Sequence, residues 1–246
     1  MNRCLKQAEG DRTAVNHDRG GGMKIQFISE AEYEVSELTV DNLFNSTYCV
    51  FDLEATGPSP VKDHIIQIGA VRISAASNDT LLPDSSYMSY VRSPVSISPF
   101  IEQLTGVTND HIADAPGWDK VYDNFLAFAE GTILVTQAGY EYDWPLIQAE
   151  CNRRQLPVLN MPILDTKVLY QYLYPEEEGV ISTNLLIERL GVDDSGLARH
   201  DALSDSIRIA RIFRRLMDQY RERSIQSLNL CRPMTVKRFQ LPKQKR

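Results

Sequence analysis

Tyr48-Cys49-Val50-Phe51-Asp52-Leu53-Glu54-Ala55-Thr56-Gly57 sets two carboxylates inside an apolar, strand-forming segment that breaks at a glycine. In an extended chain, residues at i and i+2 project from the same face, so Asp52 and Glu54 lie side by side. Two like charges that close repel, and partial burial worsens the repulsion. An all-oxygen pair of this kind suits a hard divalent cation such as Mg²⁺ or Mn²⁺. An isolated Asp-x-Glu is also compatible with two side chains facing solvent at a strand end, so the rest of the chain has to decide between the readings.

Outward from this segment the pattern is that of a mixed α/β protein. Ile65 to Ile73 reads as a second strand and Ser86 to Arg92 as a third, making an antiparallel meander with the first. Ser98 to Thr108 reads as a short helix and turn, with Thr108 or Asn109 as a cap for the next segment. Val121, Tyr122, Phe125, Leu126 and Ala129 follow a helical period across Trp118 to Glu130, and Thr132 to Thr136 is a buried strand. A helix opens at Tyr142-Asp143-Trp144-Pro145, where proline is tolerated in the first turn. Pro162 to Thr166 is a short strand leading into a helix that stops before Pro175; Thr183 to Leu190 is a helix closed by Gly191, and Ala202 to Arg221 a long amphipathic one. Strands in a meander followed by alternating strands and helices predict a mixed sheet covered by helices.

The 246 residues are 43% hydrophobic, enough for one ordinary domain with extensions. A net charge of -7 argues against gripping duplex nucleic acid through a general basic surface, but not against an enzyme that handles it through metals. Cys4, Cys49, Cys151 and Cys231 are scattered without a C-x-x-C pair, which suggests neither zinc nor disulfides and fits a reducing cytoplasm. No apolar run reaches the length of a membrane span, so no membrane association is expected. Residues 1–22 read as a disordered tail, 23–46 as an extension in which Lys24 to Ile28 alternates like a short strand and the rest has no functional reading, 47–221 as the main domain and 222–246 as a loose basic tail. The purine-rich codons implied by Arg19-Gly20-Gly21-Gly22 leave Met23 open as the natural start.

Two further carboxylates extend the pair. Asp143 follows the strand ending at Thr136, and Asp205 lies on the first turns of the long helix in Arg199-His200-Asp201-Ala202-Leu203-Ser204-Asp205-Ser206. Singly, each has an ordinary structural role, as a cap or as a complement to a helix dipole. Four carboxylates together fit two cations in phosphodiester hydrolysis, and a neutral His200 beside them suits a general base. Tyr140 and Tyr142 are aromatic candidates for stacking on unpaired bases, with core packing as the alternative. His17, His64, His111, Trp118 and Trp144 read as surface, turn or core residues.

Taken together these segments resemble the DnaQ-like 3'→5' exonucleases of the DEDDh type, relatives of the DNA polymerase III proofreading subunit, ribonuclease T and oligoribonuclease. F-D-L-E-A-T-G at 51–57 resembles the first exonuclease motif, I-I-Q-I-G-A-V-R-I at 65–73 the following strand, L-T-G-V-T at 104–108 a family loop, I-L-D-T at 163–166 a later strand and R-H-D-A-L-S-D-S at 199–206 the third motif. The resemblance spans about Thr47 to Met217. It implies a ribonuclease H-like fold and two Mg²⁺ or Mn²⁺ ions held by Asp52, Glu54, Asp143 and Asp205. It also implies His200 as general base, substrate contacts from Thr56, Leu104 and Tyr142, and nucleoside monophosphates released from single-stranded DNA or RNA 3' ends. A polymerase or other replication or repair protein is the partner it suggests.

Two departures stand out. Ala138 and Gly139 occupy the positions where the second motif usually carries His-Asn, and Ala55 replaces the usual threonine, a variant similar to RNA-trimming relatives. Glu141 competes with Asp143 as the second-motif carboxylate. A non-catalytic nucleic-acid-binding or polymerase-docking module and an RNA-trimming exonuclease are the alternative functions.

Overall fold

The computed structural model describes residues 23–75 and 85–239. The expectations for residues 1–22, for the polar connection before Ser86 and for Lys243, Lys245 and Arg246 fall outside these.

The centre is a five-stranded sheet ordered β6-β5-β4-β7-β8. Strands β4 (Thr47–Ala55), β5 (Ile65–Ser74) and β6 (Ser86–Tyr90) are antiparallel, while β7 (Ile133–Thr136) and β8 (Ile163–Asp165) run parallel to β4 and to each other. Strand β4 is hydrogen-bonded on both edges and Tyr48 to Phe51 are completely buried, which is why it reads as a near-continuous apolar run. The β4–β5 register shifts between Glu54 and Ala55, and this irregularity falls where the chain leaves the sheet for Thr56-Gly57.

The helices are α1 (Pro99–Thr105), α2 (Asn109–Ala113), α3 (Trp118–Ala129), α4 (Asp143–Arg154), α5 (Thr166–Leu173), α6 (Thr183–Leu190) and α7 (Ala202–Glu222). Helix α7 packs across β4 and β5 through Ile209, Ile212, Phe213, Leu216 and Tyr220. Its start is fixed by the strand beneath. Gln67 accepts a hydrogen bond from Ala202 N (3.1 Å) and donates one to Asp201 Oδ2 (3.1 Å), and the Ser206 hydroxyl donates to Gly69 O (2.8 Å). A Cβ on Gly69 would sit 2.3 Å from the Leu203 nitrogen, so only glycine lets the helix approach this closely. Since Gly69 pairs with Asp52, the first turn of α7 is delivered over the Asp52 position.

The short strand expected over Lys24 to Ile28 is present, but the chain ends are more ordered than expected. Strands β1 (Lys24–Phe27), β2 (Glu32–Ser36) and β10 (Met234–Lys237) form a three-stranded antiparallel sheet, and β3 (Leu38–Val40) pairs with β9 (Leu228–Leu230). The loose basic tail expected for 222–246 is therefore corrected over Leu228–Lys237. Leu228, Leu230 and Val236 are buried in the same core as Tyr33, Val35 and Leu38, and burial of that apolar surface holds both ends against the domain.

Candidate active site

Asp52, Glu54, Asp143, His200 and Asp205 line one cleft of ≈ 500 Å³, together with Leu104, Tyr142 and the exposed Phe100. Three separated stretches of chain bring the five candidate residues there. Strand β4 presents Asp52 and Glu54, the first turn of α4 presents Asp143, and the α7 entry presents His200 and Asp205. Donor atoms of Glu54, His200 and Asp205 lie within 4.8 Å of one another.

Asp143 is buried and accepts a 2.6 Å hydrogen bond from the Thr136 hydroxyl. The loop between β7 and α4 is held by Asp165, which accepts from Ala138 N (3.1 Å) and Tyr140 N (3.3 Å). Ala138 has φ 58°, and a Cβ on Gly139 would lie 2.2 Å from Thr136 Cγ2. The Ala138-Gly139 departure thus belongs to a tight turn that abuts the residue holding Asp143. Glu141, the rival carboxylate, faces away: it pairs with buried Lys167 and accepts from Phe239 N at 3.0 Å. Tyr140 is completely buried with its hydroxyl donating to Ile163 O, so the stacking role considered for it is corrected to core packing. The Tyr142 hydroxyl donates to Gly57 O (2.9 Å) while the residue remains at the cleft wall. Thr56, expected at the substrate, instead donates to Asp63 Oδ1 (3.0 Å) and accepts from His64 N (3.0 Å). Its hydroxyl is thereby committed to the loop after β4.

The electrostatics are those of an uncompensated anion cluster. Burial first, then Asp143 and Asp201, pushes Glu54 up to about 8. Asp143 is pushed up to about 7 by burial, opposed by the Thr136 hydrogen bond and reinforced by Asp165. Asp52 is raised well above the ordinary carboxylate range by burial, Asp143 and Glu54. Such groups ionise together only if positive charge is added, and their hard oxygens suit Mg²⁺ or Mn²⁺, so the donor set fits divalent cations. His200 has φ 57°, and its backbone nitrogen donates to Asp205 Oδ2 (2.9 Å), tying the histidine to the carboxylate. Its imidazole is lowered below 6.5 by burial and then by Arg199 and Arg208, and it is neutral at pH 7.

Sequence reasoning missed three parts of this arrangement: Gln67 and Gly69, which dock α7, and Arg208. The signal for Arg208 was an arginine set inside the apolar stripe of α7, three residues beyond Asp205.

A mixed five-stranded sheet with carboxylates on its central strand and on the first turns of two flanking helices defines a ribonuclease H-like nuclease. Residues 49–213 match the RNase_T exonuclease family model, and the chain belongs to that family, as a DnaQ-like exonuclease domain and hence a nuclease hydrolase. It is 34% identical over 141 residues to the PolC-type DNA polymerase III of Lactococcus lactis, covering 57% of this chain and 8% of the relative. It is 31% identical over 191 residues to the PolC-type enzyme of Caldanaerobacter subterraneus, covering 78% and 13%. The chain thus spans only a small fraction of these relatives. Among solved structures, the nuclease domain of 3'hExo, a DEDDh family member bound to rAMP, superposes with TM-score 0.63 at 24% identity, over 73% of this chain and 95% of that one. Cell-death related nuclease 4 gives 0.60 at 19% identity, over 73% and 66%.

Proposed function

We propose that this protein hydrolyses single-stranded nucleic acid from the 3' end to nucleoside 5'-monophosphates, with Asp52, Glu54, Asp143 and Asp205 holding two Mg²⁺ or Mn²⁺ ions and His200 as general base. The observation that carries the reading is the convergence of these five side chains, from three separated segments, in one cleft. When bound, the cations supply Lewis-acid stabilisation of the charge that develops on the phosphodiester. Asp52 and Glu54 fix the inner side of that site from a rigid central strand. Asp143 is held in place by Thr136, and Asp205 by the His200 backbone. The neutral His200 ring takes a proton from the attacking water. Leu104 and Tyr142, on the cleft wall, contact the terminal nucleotide.

DNA is the first substrate to test, because the two relatives described above are PolC-type DNA polymerases, and a polymerase or other replication or repair protein is the partner class they suggest. RNA is the second reading, supported by Ala55 and by the rAMP in the 3'hExo structure. Among the described residues no helix is long and apolar enough to cross a membrane, and we place the activity in the cytoplasm. The domain that carries it is 47–221, with 23–46 as an extension. Matched DNA and RNA single strands of one sequence, digested in parallel under Mg²⁺, test the preference. Faster loss of DNA supports the first reading, and faster loss of RNA the second. Loss of neither would refute the proposed activity.

A further inference from the structure

The carboxylates of the cleft are not equally provided with positive charge. Arg208 is completely buried on α7 and pairs through Nη1 with Asp205 Oδ1. Its Nη2 donates to Leu197 O (3.1 Å) and Ala198 O (3.0 Å), and its Nε lies 3.4 Å from Asp194 Oδ2. Asp194 Oδ2 in turn receives Arg199 Nη2 at 2.9 Å. One guanidinium thus reaches Asp205 and both backbone carbonyls just ahead of Arg199-His200. Burying an arginine is costly unless its charge and donors are met: here Nη2 is met by the loop that delivers the histidine, while Nη1 lies against the cleft carboxylate as an ion pair without an aligned hydrogen bond. Asp52 also feels its field.

We infer that Arg208 is a positioning residue and a resident counter-charge: it holds Asp205 and the 194–200 loop in their working arrangement before any metal arrives, and it opposes cation binding at Asp205. The inference rests on the reading of Asp205 as a metal ligand and of His200 as base. It makes the cleft two-sided. The inner carboxylates Asp52, Glu54 and Asp143 depend on added cations, whereas the outer one has a built-in cation that keeps its rotamer and the histidine loop ordered. The opposition follows from Coulomb's law, since a fixed positive charge on a ligand carboxylate lowers the potential a metal meets there.

Charge and geometry separate in three variants of the full chain. Arg208→Met removes the charge while keeping an unbranched apolar stem. Arg208→Lys keeps a charge but loses the fork that bridges the carbonyls. Asp194→Asn removes the carboxylate charge that braces Arg208 Nε and Arg199 while leaving the guanidinium and its bonds to Asp205 and the two carbonyls in place. Mn²⁺ affinity by calorimetry, metal-free melting temperature, and kcat and KM on one oligonucleotide are read for each. Arg208→Met is expected to lower the metal-free melting temperature and to bind Mn²⁺ roughly 3–10-fold more tightly. Its kcat should fall by about tenfold or more with KM nearly unchanged. Arg208→Lys should bind Mn²⁺ like the wild type yet keep a low kcat, and Asp194→Asn should lower kcat with Mn²⁺ affinity unaltered.

A buried arginine with a merely structural role would weaken Mn²⁺ binding and stability together. Unchanged or weaker Mn²⁺ binding in Arg208→Met therefore overturns the counter-charge. Wild-type kcat in Arg208→Lys and Asp194→Asn overturns the positioning role, even if Arg208→Met does not fold. Asp205→Asn is the control for the underlying reading: full Mn²⁺ binding in that variant refutes Asp205 as a ligand and the inference with it. Weakened binding there beside an unaffected Arg208→Met refutes the inference alone.

Discussion

Asp143 and Asp205 both sit on the first turns of helices, yet the molecule treats them in opposite ways. Asp143 is buried, touches one hydroxyl and is pushed up to about 7. Asp205 is half-buried, accepts from a backbone nitrogen and faces a buried arginine. The lesson is that a cluster of like charges is held together unevenly. The inner half is rigid and short of positive charge, and the outer half carries its own cation along with His200. Burial raises the inner groups because carboxylates lose hydration there faster than neighbouring dipoles replace it.

Loss of an inner carboxylate should have the largest effect. Asp52→Ala is expected to remove nearly all turnover, because the strand then presents one carboxylate where two are needed. Its metal-free melting temperature should rise, by about 2–4 °C for each kcal/mol of repulsion relieved. Turnover near the wild-type rate would show that the inner half is not the metal site.

On the outer half, His200→Ala should lower the single-turnover rate by roughly 10²–10⁴ while metal affinity holds. The imidazole is lowered below its ordinary value, so the wild-type rate falls only as the pH drops through a midpoint below 6.5, where the protonated ring no longer accepts a proton. That limb should flatten in the variant. Weaker Mn²⁺ binding with unchanged chemistry would make His200 a ligand instead.

A third contrast lies in stability against pH. Glu54 and Asp143 rise from 4.5 and 3.8 to about 8 and about 7 on folding. The metal-free native state therefore binds more protons than the unfolded chain between those limits. The stabilisation is fully present below the unfolded values and is lost as pH rises from about 4 through 8. Melting scans across that range should show the decline without metal, and Mg²⁺ should flatten it by holding the deprotonated carboxylates. A metal-free curve flat from pH 4 to 8 would contradict the uncompensated inner half.

The same comparison explains what could be read from the sequence. The site was legible because its parts are local: an Asp-x-Glu on a strand, an aspartate opening a helix, a histidine five residues before another aspartate. Their neighbours were less so. Gly69 matters only because α7 crosses it, and Arg208 only because the 194–200 loop folds back over it. Of the terminal strands only β1 showed its own alternation; the others, and all the pairings, were hidden for the same reason. Val35 faces Met234 and Leu38 faces Leu230, pairings 199 and 192 residues apart that no local period announces. For Tyr140 the choice between stacking and core packing stayed open, because its burial depends on Asp165 and Ile163, on a different strand.

The smallest effect on chemistry should come from that terminal sheet. Val236→Ala is expected to cost about 1.5–3 kcal/mol of stability, from the lost methyl groups and the cavity left behind. Turnover per folded molecule should stay near the wild-type value, because Val236 is not among the residues that line the cleft. A larger loss of kcat than of stability would mean that the terminal strands set the geometry of the site.

The central claim is a cation-dependent exonuclease working from the 3' end, and it is tested most directly by one digestion. A single-stranded oligonucleotide labelled at either the 3' or the 5' end is incubated with Mg²⁺ or with excess chelator. The account predicts that the 3' label appears at once as a nucleoside 5'-monophosphate, while the 5' label shortens stepwise and both remain intact in chelator. Internal fragments as first products, release of the 5' label first, or full activity in chelator would contradict it.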